Sequence, residues 1–174
     1  MMRAAHYPLA LLSTALFGQT GPSHHWPLDG LGGTTAYDIA GGSNGFLQNG
    51  AQFTANGYFG EAVGFDGADD RIDIGPCDIT TGTGGFSISL WVKLGLMAGN
   101  EQVFMAKTNG PANTDYIWSL SQVASTAICF RVNTNGTVTQ ISTSGSSIFG
   151  GSWYHLAATY DGAAMNIYVN GALM

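Results

Sequence analysis

Charge is what this sequence has least of. Five basic side chains, Arg3, Arg71, Lys93, Lys107 and Arg131, stand against eleven acidic ones over 174 residues, for a formal net charge of -6. No cluster of bases exists to neutralise a row of phosphates, so neither nucleic acid nor an anionic membrane surface is expected as a partner. Only two cysteines are present, Cys77 and Cys129, far apart and in no CxxC or Cys/His spacing. That rules out a disulfide-dense scaffold and a zinc module. A single Cys77–Cys129 bridge and two separate thiols both remain open. Glutamate is as scarce, with only Glu61 and Glu101. Long apolar runs are absent beyond the N-terminus, so no later segment qualifies as a transmembrane helix.

The one apolar run, Leu9 to Phe17, follows Arg3 and His6 and is too short to span a bilayer. Residues 1–21 therefore read as a secretory signal, and 22–174 as one exported domain. Ser13-x-Ala15 and Gly18-x-Thr20 are both candidate cleavage sites.

What is abundant is glycine, 26 residues of it, with aromatic and β-branched residues. This mixture suits short strands and tight turns rather than exposed helices. Asn-Gly and Asp-Gly pairs punctuate the chain, among them Asn49-Gly50, Asn135-Gly136, Asp161-Gly162 and Asn170-Gly171. Such pairs accept positive φ at hairpin turns. Asn135-Gly136-Thr137 is formally a glycosylation sequon and is read here as a turn. Between the turns lie runs of period two. Phe86 to Leu94 puts Phe86, Ile88, Leu90, Val92 and Leu94 on one face, with Trp91 interrupting the other. Arg71–Ile74, Gln102–Lys107, Tyr116–Ser121, Ala127–Asn133, Val138–Ser142, Trp153–Tyr160 and Met165–Val169 read as further strands. No stretch sustains a helical period. The strand spacing is that of an all-β sandwich or barrel.

The order of local signals resembles the laminin G-like jelly rolls of the concanavalin A-like lectin/glucanase superfamily, which implies an all-β, antiparallel, two-sheet jelly-roll sandwich. His25-Trp26-Pro27-Leu28-Asp29-Gly30 resembles the opening strand, and Asp38 to Gly45 the loop after it. Gly60 to Gly67 resembles a strand and turn, and Phe86 to Lys93 the central "FTISxWVK" strand. Trp153 to Gly162 resembles "WHHVAxTYDG", and Ile167 to Gly171 "LYVNG". Family members usually continue for several more strands. The resemblance therefore implies that the last strands are missing and that the chain is a fragment.

The resemblance also implies a binding or adhesion module, for carbohydrate or an extracellular protein ligand, with calcium as structural support. The alternative is a targeting piece of a larger secreted carbohydrate-active enzyme. Calcium wants hard oxygen ligands, and the first loop offers Asp38, Ser43 and Asn44. The competing reading is an Asx-turn in which Asp38 bonds its own loop. Asp66, Asp69 and Asp70 form a second candidate cluster. For sugar stacking the exposed-aromatic candidates are Tyr116, Trp118 and Tyr168, since Trp26, Trp91 and Trp153 match family core positions. His155 reads as a packed core histidine. A glucanase needs a carboxylate pair, and Glu61 and Glu101 sit in separate segments, so catalysis is not expected. Gly41-Gly42-Ser43-Asn44-Gly45 matches G-x-S-x-G without the strand-turn-helix setting of a nucleophile elbow.

Overall fold

The computed structural model describes residues 21–30, 32–77, 84–95, 101–110, 115–123, 126–144 and 148–174. The expected export segment lies outside these residues, apart from Gly21. Every regular element among them is a strand: β1 Thr35–Ala36, β2 Gly45–Gln48, β3 Gln52–Thr54, β4 Ala62–Gly64, β5 Arg71–Asp73, β6 Phe86–Lys93 and β7 Glu101–Thr108. They continue as β8 Tyr116–Val123, β9 Ala127–Thr134, β10 Thr137–Ser142, β11 Trp153–Tyr160, β12 Met165–Val169 and β13 Ala172–Leu173. All strand pairs are antiparallel.

Two four-stranded sheets form the body, in the orders β10-β9-β8-β7 and β13-β12-β11-β6. Their inner faces share one apolar cluster: Ile88, Leu120, Ile128, Phe130, Leu156 and Ile167 lie at its heart, all 5 % exposed or less. Each such side chain gains about 1.5–3 kcal/mol on burial, an upper estimate. Of the sandwich and the barrel that the strand spacing allows, this is the antiparallel sandwich that the family resemblance implies. A small β1-β2-β5 sheet and the β3–β4 hairpin complete the described strands. The stretch from His25 to Gly30, expected as an opening strand, forms no ladder. It is tied instead by Ile39 N–H donating to the His25 carbonyl at 2.9 Å.

Turn chemistry explains the registers. Thr134 pairs with Thr137 across Asn135-Gly136, whose φ angles are 53° and 83°. Val169 pairs with Ala172 across Asn170-Gly171, with φ of 50° and 81°. Two consecutive positive φ values match a hairpin turn whose twist suits the flanking strands.

The central strand β8 breaks the alternation. It lies between β7 and β9, and Trp118, Ser119, Leu120, Ser121 and Gln122 are all buried. Trp118 is 2 % exposed, with its ring 5.7 Å from Phe86. The expectation of an exposed, sugar-stacking Trp118 is thereby corrected: it sits mid-strand on an inward phase and has no path to solvent. Cys129 is buried on β9, Cys77 is half-buried, and the two are unbridged.

Candidate functional site

The inward phase of the β13-β12-β11-β6 sheet is filled by Ile88, Leu156, Ala158, Ile167 and Val169. The alternate residues must then face outward, and here they are aromatic. Trp91 on β6 stands opposite His155 on β11, and Trp153 opposite Lys93. Trp91 is 38 % exposed, so it is not a core residue as its position in the family pattern implies. His155 is likewise half-buried on this outer face, its ring 5.2 Å from that of Trp91, rather than packed in the core.

A second piece of chain completes the arrangement. The tip between β3 and β4 carries Tyr58 and Phe59. Tyr58 stacks on Trp91 with ring centroids 3.6 Å apart and planes 10° from parallel. It also meets Trp153 at 6.5 Å and 67°. Phe59 lies edge-on to Tyr58 at 4.6 Å and remains 73 % exposed. The tip is held by Gly57 N–H donating to the Gly60 carbonyl at 3.1 Å and by Glu61 N–H donating to Asp29 Oδ1 at 2.9 Å. Gly60 takes φ of 61°, and a side chain at Gly57 would collide with the Glu61 carbonyl. Both tip glycines are therefore required by space or conformation.

Tyr58, Trp91, Trp153, His155, Asn170 and Gly171 line an open groove of about 490 Å³. Asn170 is fixed by accepting from His155 N–H through Oδ1 at 2.9 Å, while its own N–H donates to the His155 carbonyl at 2.8 Å. That leaves the Asn170 carboxamide NH₂ as a donor set against aromatic walls. Apolar rings with a few fixed polar groups make a ligand-binding surface. Among the described residues, no carboxylate lines the groove.

The three predicted stacking aromatics are not brought together. Tyr168 lies on β12, opposite Ala157 and Leu173, on the same outer face as the groove. Tyr116 opens β8 in the other sheet, and Trp118 is in the core. The signal that could have found the groove was present: Trp91, Trp153 and His155 fall on the phase opposite the aliphatic residues of their strands.

The Asp38 carboxylate is held by its own loop. Asp38 Oδ1 accepts from the N–H groups of His25, Ala40 and Gly41 at 2.8, 3.0 and 2.9 Å. Oδ2 accepts from Ser43 N–H at 3.0 Å and from His24 Nδ1 at 2.7 Å. Burial alone would raise the Asp38 carboxyl, but the donors on Gly41, His25, His24 and Ala40 outweigh it and hold the group well below the usual carboxylate range. Asn44 Oδ1 already accepts from Asp38 N–H, and the Ser43 carbonyl from the Trp26 indole. The oxygens of Asp38, Ser43 and Asn44, expected as calcium ligands, thus already accept from N–H donors. The loop is an Asx-type turn. Strand β2 follows Ser43 instead of a helix, so the G-x-S-x-G match builds no elbow.

Asp66, Asp69 and Asp70 differ. Their carboxylate oxygens lie within 4.8 Å of one another. Asp66 Oδ1 accepts from Ala68 N–H and Asp70 Oδ2 from Asp66 N–H, both at 2.8 Å. Asp70 Oδ1 is buried with no hydrogen-bond partner among the described residues. An oxygen-only donor set with an unsatisfied carboxylate oxygen fits a hard divalent cation.

Glu101 on β7 reaches across β8 to pair with Arg131 of β9, whose Nε donates to Gln140 Oε1 at 3.1 Å. Burial pushes the Glu101 carboxyl up, but Ser121 and Arg131 more than offset it and hold it low. It is an ion-pair partner of Arg131.

With an antiparallel all-β sandwich and an aromatic outer groove in place, the class is that of the lectin-like jelly rolls. A laminin G family model, described as the concanavalin A-like lectin/glucanases superfamily, matches residues 66–174, and the chain belongs to this family. No curated protein matches the chain. Domains of this family are binding modules in general, although the superfamily includes glycosidases. The matched segment holds Trp91, Trp153, His155 and Asn170. Tyr58 and Phe59 lie before it. No helix among the described residues is long and apolar enough to cross a membrane.

Proposed function

We propose that this chain is a non-catalytic, extracellular carbohydrate-binding module whose ligand lies in the groove between Tyr58, Trp91 and Trp153. The observation that carries this reading is the aromatic lining of a groove with Asn170 and His155 as its polar groups and, among the described residues, no carboxylate. Sugar rings offer apolar C–H faces to aromatic planes and hydroxyls to amides and imidazoles. The superfamily to which the chain belongs supports the same assignment. Extracellular placement rests on the expected N-terminal signal and on the habit of laminin G-like domains.

The test is a binding screen against immobilised glycans with purified full chain. Trp91→Ala and Trp153→Ala are each expected to weaken binding at least tenfold, about 1.4 kcal/mol. Tyr116→Ala is expected to leave it within twofold. Equal loss from Tyr116→Ala and none from the tryptophan variants would move the site to the other sheet.

Calcium belongs to the same reading, as structural support at Asp66, Asp69 and Asp70, which would hold it through their carboxylates. Three carboxylates this close repel one another, and a divalent cation relieves that repulsion. Thermal unfolding in excess calcium against EDTA is expected to show stabilisation of about 2.7 kcal/mol at a hundredfold excess over Kd. Asp70→Asn should abolish the calcium response, whereas Asn44→Ala should leave it. An unchanged melting temperature in the wild-type chain would remove the metal from the account.

A further inference from the structure

We propose that β10 is a self-association edge: a second copy of this chain pairs antiparallel with it about a two-fold axis at Gln140, carrying the β10-β9-β8-β7 sheet across both copies. This stands apart from the carbohydrate reading and does not rest on it. Strand β10 runs Thr137, Val138, Thr139, Gln140, Ile141 and Ser142, with β-branched residues at four positions and no charge, proline or glycine. All but Ile141 are exposed, Val138 at 55 %. Among the described residues, no strand pairs with its far side.

The hairpin decides which backbone groups are open. Thr134 and Thr137 close a two-residue turn, so they exchange hydrogen bonds, and the ladder then alternates. Thr137, Thr139 and Ile141 therefore turn their N–H and C=O groups toward β9. Thr143 continues in phase, its N–H donating to the Ile128 carbonyl at 2.9 Å. Val138, Gln140 and Ser142 turn theirs away from β9, as a row of donors and acceptors ready to pair. The other long edges of the two sheets are blunted. Strand β7 carries Glu101 and Lys107 and breaks its register twice. Strand β6 carries Lys93, and Tyr58 stacks on its Trp91. Strand β10 has neither charge nor bulge, and its register with β9 is unbroken.

A second copy satisfies this row completely. With the axis at Gln140, Gln140 meets the partner's Gln140 and Val138 meets the partner's Ser142, so every open residue exchanges both its bonds. An axis at Thr139 would leave Ser142 opposite the turn. The axis stands perpendicular to the sheet, so each face meets its own kind. Thr139 and Ile141, opposite Val132 and Phe130 on the core phase, meet across the axis. Val138, Gln140 and Ser142 meet on the outer phase. Charge points to the same occupant. A chain of net charge -6 repels its own copies, and the uncharged β10 lets two of them approach with no charged side chains opposed. The charge beside Gln140 on β9, Arg131, is already paired with Glu101 and donates to Gln140 Oε1. A charged peptide would find no counter-charge on the strand. The contact is small, so the dimer exchanges with monomer.

The experiment is sedimentation velocity of the full chain at neutral pH over rising concentration. The wild type is expected to shift from a monomer of 18.1 kDa toward a dimer. Gln140→Glu keeps a partner for Arg131 but sets two carboxylates face to face at the axis, and should weaken the dimer roughly tenfold or more. Val138→Pro removes one outward N–H per copy and no bond to β9, and should weaken it as far should the glutamate variant fold poorly. Hydrogen exchange adds the location: the N–H groups of Val138, Gln140 and Ser142 should exchange slowly in the dimer and fast in the monomer. A wild type that stays monomeric at every concentration would overturn self-pairing, and slow exchange at these positions in that monomer would give the edge to a segment of its own chain. A dimer left intact by either folded variant would place the contact on another surface and equally overturn it.

Discussion

Replacing Asp38 by alanine is expected to lower stability by about 3–5 kcal/mol, because five donors lose their acceptor at once. Hydrogen bonds to a charged group are worth roughly 1.5–3 kcal/mol each, and they are not additive. The carboxylate is screened from solvent, so the N–H groups of His25, Ala40, Gly41 and Ser43 would be left facing no partner. The same residue fixes an acid dependence. Its folded carboxyl is held well below the usual range, whereas in the unfolded chain it titrates near 3.9. The stabilisation is thus complete above about pH 4–5 and is lost as pH falls below the unfolded value toward the folded one. Over that window Asp38 contributes a slope of up to about 1.4 kcal/mol per pH unit. Urea unfolding of wild type and Asp38→Asn from pH 7 to pH 3 checks both parts. The variant should be less stable at pH 7, and its loss of stability on acidification should be shallower. Parallel curves would show that Asp38 does not carry the acid dependence.

Trp118→Ala is expected to cost about 3–5 kcal/mol, the range for removing a large aromatic from a packed core. Trp118 fills the space between β8 and the opposite sheet against Phe86, within the shared apolar cluster, and its burial leaves no room for a sugar. Its indole N–H has no hydrogen-bond partner among the described residues. Trp118→Phe should therefore be much milder, losing volume but no hydrogen bond. Thermal melts of the two variants separate the effects. Trp118→Phe should also bind glycan as the wild type does. A stable alanine variant that had lost glycan binding would return Trp118 to the binding surface.

The longer strands, from β6 to β12, were legible because each carries its own evidence. Phe86 to Lys93 alternates, and its burial pattern follows that alternation residue by residue. Asn135-Gly136 and Asn170-Gly171 announce their turns through the φ values they tolerate. The site was less legible, for a physical reason. Whether Trp91 faces inward or outward is readable from its phase, and the phase pointed outward, but resemblance to the family's core pattern argued the other way. The stacking of Tyr58 on Trp91 is a contact between a hairpin tip and a distant strand, and no local pattern encodes it. Trp118 misled for the converse reason. Its type suits a sugar platform, but its place on a central strand buries it. At Asp38 the two readings, cation ligand and Asx-turn, differ only in whether N–H groups or a metal meet the carboxylate. That choice appears only once His24, His25 and the loop backbone are in position.

The central claim is that ligand meets the outer aromatic groove. The most direct measurement is the set of four tryptophan indole N–H signals in an NMR titration of the full chain with a glycan retained in the binding screen. The account predicts saturable shifts for Trp91 and Trp153, with Trp118 and Trp26 unmoved, the latter held by its bond to the Ser43 carbonyl. Shifts confined to Trp26 or Trp118, with Trp91 and Trp153 silent, would contradict it.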